Sequence, residues 1–346
     1  MTEIPAAPSV GRTRDPSGRP LGNPPPLVFV GGTGRSGTHI LGKLLGKHEK
    51  LALVPVEVRF HVDERGFPGL LSGAVSKQEF LRRLRGFWWK GFQTCRMRGM
   101  YRFVPEERLE RATAAFEESY DAGGEEAARV ESCRRLFYEL LWFRATDAGA
   151  VALVEQSCDT VAAAPTLARL FPEARFIHVV RDGRDASASR VAQTHGLVKP
   201  RTRRQGLAWW EERIRRIDEG ARAIPPERLL TMSLDELVLL GGSLPAIRPL
   251  CAYLDIYPQH PMKRYFRKRI NPEFANAARW RRGISGRRAA EIERAYEEVV
   301  ARLEADGVGC APLLRRTLER SRSTDPQRLA PKAFLTGRPA ALGTGT

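Results

Sequence analysis

The stretch Leu27-Val28-Phe29-Val30-Gly31-Gly32-Thr33-Gly34-Arg35-Ser36-Gly37-Thr38-His39-Ile40-Leu41-Gly42-Lys43-Leu44-Leu45 runs from an apolar segment through a glycine-rich turn into a helix-spaced one. Leu27–Val30 reads as a buried strand. Ile40, Leu41, Leu44 and Leu45 recur at helical spacing, which predicts a helix over Ser36–Lys47. The same alternation continues outward. Leu51–Val56, Val151–Val154, Arg175–Val180 and Leu229–Met232 read as further strands. Thr160–Leu170, a segment from Asp182, and the run holding Trp209, Trp210, Ile214 and Ile217 read as helices. Short apolar strands alternating with helices predict a P-loop-like three-layer α/β fold, a central mostly parallel sheet with helices on both faces. Helical periodicity through 76–147, with Phe80, Leu84, Phe87 and Trp88 on one stripe, predicts a helical cap insertion facing substrate. The expected organisation is a flexible leader (1–24), one domain (25–321) and a loose tail (322–346).

Composition narrows the function without choosing it. The chain has 346 residues, 42% hydrophobic and 28% charged, enough to build a substantial core. No run of about 18 apolar residues occurs, so no membrane span is expected. Met1–Pro26 lacks the apolar segment of a secretory signal. Five cysteines at 95, 133, 158, 251 and 310 form no CxxC pair, so neither a disulfide framework nor a metal site is expected. A reduced, cytoplasmic protein is the reading. The net charge is +17, with 57 Lys and Arg of which only nine are Lys. Such a surface attracts polyanions, acidic membranes or phosphorylated small molecules alike.

The glycine turn is suited to an anion, because its backbone can wrap the ligand while the helix start aims N–H groups and a positive dipole end at it. With Gly32 and Gly37 aligned on the glycines of a GxxxxGK[ST] loop, Thr38 stands where the lysine belongs. A nucleotide triphosphatase needs that lysine on the terminal phosphates. Arg35 is the cation inside this loop. A second motif, Phe176-Ile177-His178-Val179-Val180-Arg181-Asp182-Gly183-Arg184-Asp185-Ala186-Ser187-Ala188-Ser189-Arg190, passes from strand to helix. Arg181 falls at the carboxyl end of its strand, where parallel sheets place ligands. Ser189, two helical turns on, can share a phosphate with it. Arg184 and Asp185 read as a salt-bridged pair in the turn.

Gly34-Arg35-Ser36-Gly37-Thr38 together with the Arg181–Arg190 motif resembles the PAPS-dependent sulfotransferases, and within them a bacterial branch similar to tyrosylprotein sulfotransferases. Leu170-Phe171-Pro172, Trp209-Trp210, Leu229–Leu237 and Arg279-Trp280-Arg281 extend the resemblance over about 27–305. It implies that Gly34, Arg35, Ser36, Gly37, Thr38 and His39 bind the 5′-phosphosulfate of 3′-phosphoadenylyl sulfate (PAPS). It further implies that Arg181 and Ser189 bind the 3′-phosphate, with Arg279 and Trp280 near the nucleotide, and that no metal is needed. Glu57, in Glu57-Val58-Arg59, matches the family's Glu-x-Arg base after a one-residue insertion, and Arg35 would steady the leaving oxygen. His61 is the rival base. Gln156, in Glu155-Gln156-Ser157-Cys158, stands where relatives carry a lysine that touches the sulfuryl group.

Two other readings compete. A P-loop kinase-like phosphotransferase would need the missing lysine and acidic Mg²⁺ ligands, for which Asp182 is the sole candidate. A non-catalytic polyanion or nucleic-acid binder would use Lys263–Arg269 and Arg279–Arg288, with Tyr265, Phe266 and Trp280 interleaved. No RNA-binding or zinc-finger pattern accompanies them, so no nucleic-acid partner is expected. The acceptor is expected to be a small-molecule hydroxyl. Phe87, Trp88, Trp89, Phe92, Phe103, Phe137, Trp142 and Phe143 in the cap suggest an apolar or aromatic one, such as a lipid, a polyketide or a phenol. Core packing accounts for the same residues equally well.

Overall fold

The computed structural model describes residues 25–92, 97–122, 125–193, 200–239, 243–272 and 274–323. The leader 1–24, Cys95, His195 and the tail beyond 323 lie outside the described residues. The strands are β1 (Leu27–Gly32), β2 (Leu51–Leu53), β3 (Gly91–Phe92), β4 (Met97–Arg98), β5 (Ala152–Glu155), β6 (Arg175–Val180) and β7 (Leu229–Ser233). The helices of the first half are α1 (Thr38–Leu45), α2 (Phe67–Leu71), α3 (Lys77–Arg83), α4 (Glu106–Ala122), α5 (Glu126–Leu141), α6 (Phe143–Asp147) and α7 (Ala164–Leu170). Those of the second are α8 (Gly183–Val191), α9 (Arg203–Ala221), α10 (Leu234–Leu239), α11 (Ser243–Tyr253), α12 (His260–Arg269), α13 (Gly286–Ala305) and α14 (Ala311–Ser323).

Five strands form one parallel sheet in the order β2-β5-β1-β6-β7. The alternation within β1 shows why both faces are covered. Leu27 and Phe29 enter a core with Phe137, Phe171 and Phe176, while Val28 and Val30 enter another with Leu41, Leu44, Ile177 and Leu250. A strand apolar on both sides belongs in the middle of a parallel sheet. A third cluster of Trp210, Ile214, Tyr296, Val300 and Leu314 packs beside Val180, tying α9, α13 and α14 to the end of β6. Because β1 has β5 on one side and β6 on the other, the loops leaving their carboxyl ends converge at a crevice.

The predicted three-layer α/β architecture is the one observed, with local corrections. β2 ends at Leu53 rather than Val56, since Pro55 has no N–H to offer a ladder. α7 begins at Ala164, with Pro165 in its first turn, rather than at Thr160. The stretch 76–147 is not helical throughout. A π-helical turn over Leu84–Trp89 gives way to the short β3–β4 hairpin, and Gly91 turns the chain there with φ of 78°. Its aromatic residues Phe80, Trp88, Phe137 and Trp142 are buried in the Phe29 core.

Gly32, the last residue of β1, has no room for a side chain: a Cβ there would stand 2.2 Å from Ser36 Oγ and 2.6 Å from the Val179 carbonyl oxygen. Gly32→Ala should therefore cost about 1–3 kcal/mol. A lowered urea midpoint at unchanged slope is the expected readout.

Candidate active site

The loop between β1 and α1 is wound by left-handed residues: Gly34 (φ 77°), Arg35 (φ 62°) and Gly37 (φ 101°). A non-glycine residue in that region is strained by about 1–2 kcal/mol, so something must hold Arg35 there. Its side chain is anchored by Nε, which donates to Ser189 Oγ at 2.9 Å. Its carbonyl is anchored by Arg181, whose Nη1 donates to it at 3.0 Å. Gly37 caps α1 with no side-chain hydrogen bond, and no acidic residue occupies the first turn, so the dipole end of α1 is left electropositive.

Arg181 leaves β6 at its carboxyl end and is only 7% exposed. Its Nη2 donates to the carbonyls of Ala275 at 2.6 Å and Asn276 at 3.2 Å. Asp185 Oδ2 lies 3.8 Å away. Arg181 thus joins the glycine loop to the segment after α12. Around it a cleft of about 470 Å³ is lined by Arg35, Arg181, Arg190, Arg213 and Arg279, with Trp209 and Phe274 as its aromatic walls. These cations crowd one another. Burial, and then the charges of Arg181, Arg279 and Arg190, push the Arg35 guanidinium below its ordinary value. Arg190 is lowered by burial and by Arg213. Arg203 and Arg282 are lowered by burial and by Arg279. A cleft that strains its own guanidinium charges in this way is complementary to a polyanion.

The opposite wall carries the carboxylate. Glu57 lies 3.6 Å from His39 Nε2 through one oxygen and 3.2 Å from Arg59 Nη1 through the other. Burial raises its pKa, Arg59 opposes this, and Glu155 and Asp159 push it further up. Arg59 also has a left-handed backbone (φ 59°). Its Nη2 reaches Asp63 at 2.6 Å and Asp159 at 2.9 Å, and Asp159 is shared with Arg213. Burial alone would raise the Asp159 carboxyl, but Arg213 and Arg59 hold it below its ordinary value. Glu57 is thereby fixed at the end of a salt-bridged chain running Arg213–Asp159–Arg59–Glu57.

Of the residues singled out from sequence, Gly34, Arg35, Gly37, Thr38, His39, Glu57, Arg181, Ser189 and Arg279 line the cleft. Ser36 is fully buried beneath the loop, its hydroxyl without a hydrogen-bond partner. Trp280 is 3% exposed and off the cleft wall. Its ring lies against Arg184 and Arg281, and its backbone N–H donates to Asp185 at 2.9 Å. His61 is no rival base. It is wholly buried 2.9 Å from Glu155, with its ring stacked on Phe29. Gln156 does not face the reaction side. Its Nε2 donates to the Val54 carbonyl, and its side chain packs under Gly42 of α1. Arg184 pairs with Asp182 at 2.5 Å, not with Asp185. Among the described residues, none of those lining this cleft comes from 76–147.

Sequence reasoning missed Arg59, Cys158, Asp159, Arg213 and Phe274, all on the cleft wall. Arg213 had a legible signal: four residues from Trp209 on α9, it shares with that ring a face that Trp210, in the core, does not. Among the described residues, no group of three or more His, Cys, Asp or Glu is placed to hold a metal ion.

A family model described as the sulfotransferase family matches residues 26–259. No curated protein sequence matches the chain. Among solved structures, the chain is similar to the sulfotransferase domain from the Synechococcus PCC 7002 olefin synthase. The two are 16% identical over 80% of this chain and 94% of that one, with a TM-score of 0.46. Sulfotransferase STF9 from Mycobacterium avium gives 15% identity, 80% and 76% coverage and a TM-score of 0.40. A sulfotransferase from Alicyclobacillus acidocaldarius gives 16%, 82% and 96%, and 0.40.

Behind Arg181, Asp182, Asp185 and Asp235 lie together, Asp235 Oδ2 accepting the Asp182 N–H at 2.6 Å. Burial, opposed by Arg181 and reinforced by Asp182, raises Asp185 to about 6. Burial and the Asp182 charge raise Asp235 to about 7. Both groups hold protons more tightly in the folded chain than in the unfolded one. Their stabilising contribution is complete below the ordinary aspartate value and is lost as pH rises through 6–7. Thermal or urea unfolding between pH 5 and 8 should show a loss on the order of 4 kcal/mol. Asp235→Asn should flatten that slope and be the more stable protein at pH 8.

Proposed function

Because the chain belongs to the sulfotransferase family, we propose that it moves the sulfuryl group of PAPS to a hydroxyl of a small-molecule acceptor and releases 3′,5′-ADP. The observation that carries this reading is the convergence of Arg35, Arg181, Arg190 and Arg279 on one cleft that also holds Glu57. The residues present fit such a nucleotide. Two anion subsites are available, one at the strained loop and the start of α1, the other at Arg181, Ser189 and Arg190. Arg181 Nε, a buried polar atom without a partner, lies at the second of these. Trp209 and Phe274 offer faces for a base.

PAPS supplies an activated sulfuryl group on a phosphate leaving group. The chain's own part is positioning and charge neutralisation, which is where most of the rate in such transfers originates. Glu57, its pKa raised by burial, takes the acceptor hydroxyl proton. Arg59 holds the second Glu57 oxygen and so fixes the direction of the first. The acceptor oxygen forms a bond to sulfur as the sulfur–bridging-oxygen bond breaks. Arg35, tethered through Ser189 and its own carbonyl, neutralises the charge that collects on the departing phosphate.

Calorimetric titration tests the donor. Wild type should bind 3′,5′-ADP much more tightly than Mg-ATP. Arg181→Ala should weaken 3′,5′-ADP by at least about a hundredfold, and Ser189→Ala by about five- to tenfold. Equal or tighter ATP binding would overturn the reading in favour of a phosphotransferase. Glu57→Gln should lower the transfer rate by about 10²–10⁴ while leaving 3′,5′-ADP affinity unchanged.

A further inference from the structure

We propose that the face built on α12 docks the protein onto an anionic membrane surface, with the mouth of the cleft beside the lipid. Residues 256–290 carry ten Lys or Arg and a single acidic residue, Glu273, a net of +9 out of the chain's +17. Met262 and Phe266 anchor α12 in the core, leaving Arg264, Arg267, Lys268 and Arg269 exposed. None of these four forms an ion pair among the described residues. Lys47, in the turn that follows α1, has its ammonium 6.0 Å from the centre of the Tyr265 ring and adds to the same face.

Several arginines of α13 and α14 are matched by acids, as in Arg302–Glu211, Arg315–Glu304 and Arg322–Glu297; what sets α12 apart is that four exposed cations share one short helix. The α12 cations are therefore available to an external anion. Clusters of four or more such charges on an amphipathic helix suit anionic lipid headgroups, each contributing about a factor of five.

The aromatic residues decide which polyanion. A single-stranded nucleic acid would need a row of exposed rings interleaved with the cations, so that successive bases could stack. Phe266 and Trp280 are each 3% exposed and so unavailable. The rings that do reach solvent flank the helix instead: Tyr257, 52% exposed, precedes it, and Phe274, 45% exposed, follows it. They are two of only four large hydrophobic residues that are exposed among the described residues. A basic helix with an aromatic residue at each end matches the interfacial anchoring pattern. Phe274 also lines the cleft, so docking would open the cleft toward amphiphilic acceptors. That last consequence rests on the transfer reaction proposed above. The docking itself does not.

Vesicle co-sedimentation tests it without reading activity. The full chain should pellet with vesicles of equal parts phosphatidylglycerol and phosphatidylcholine and stay in solution with phosphatidylcholine alone. Binding should be lost on raising salt from about 0.1 to about 1 M. Arg264→Glu, Arg267→Glu and Lys268→Glu combined should weaken it by at least about a hundredfold. Tyr257→Ser should weaken it with no change of charge. The matched control Arg82→Glu, Arg102→Glu and Arg111→Glu, on exposed arginines of 76–147, should retain binding. No binding by wild type, or equal loss in the control, would overturn the proposal. So would α12-dependent capture of an oligonucleotide without vesicle binding, which would assign the face to nucleic acid.

Discussion

A buried guanidinium must find acceptors for its N–H groups, and Arg181 finds most of them on backbone carbonyls rather than on a fully committed acid. That choice has two effects. Because carbonyls bring no net negative charge, the positive charge of Arg181 remains available to the cleft. Because those carbonyls belong to two distant segments, one side chain sets the spacing of both cleft walls. The left-handed Arg35 depends on the same contact, since its carbonyl is one of the acceptors.

The two sides of the cleft solve opposite electrostatic problems. On the arginine side like charges are packed together, and burial makes each guanidinium less comfortable in its charged form. Binding an anion there relieves repulsion already present in the folded chain. On the Glu57 side, acids and bases alternate and saturate one another, so that a single carboxylate keeps a raised pKa beside Arg59 and Asp159. The preorganisation is therefore local: like charge is gathered on one side of the cleft and balanced on the other.

Much of this was legible in the sequence. The main-sheet strands announced themselves because each is short and largely apolar, and because β1 runs into a glycine loop and β6 into a helix capped by Asp182. The loop and Arg181 announced themselves because their residue types have few other uses at the end of a parallel strand. What stayed hidden depends on side-chain direction. Gln156 and Cys158 are two apart after β5, yet one packs under α1 and the other lines the cleft. His61, four residues after Glu57, enters the Phe29 core because the chain turns between them. Periodicity counted the aromatics of 76–147 correctly as buried-type residues but could not tell a substrate-facing wall from the core they join. Nor could it see the β3–β4 hairpin, two residues to a strand.

The partners of Arg181 also order events along the chain. All five strands of the main sheet are complete by Ser233, yet two carbonyls that Arg181 needs belong to Ala275 and Asn276, 94 and 95 residues downstream. A chain emerging from the ribosome can thus close its sheet while the crevice above it lacks a wall. The cleft is finished only when the segment carrying Ala275, Asn276 and Arg279 has been made and folded back. Until then the nascent chain has a sheet and an incomplete cleft, which separates in time the assembly of the sheet from the completion of the crevice above it.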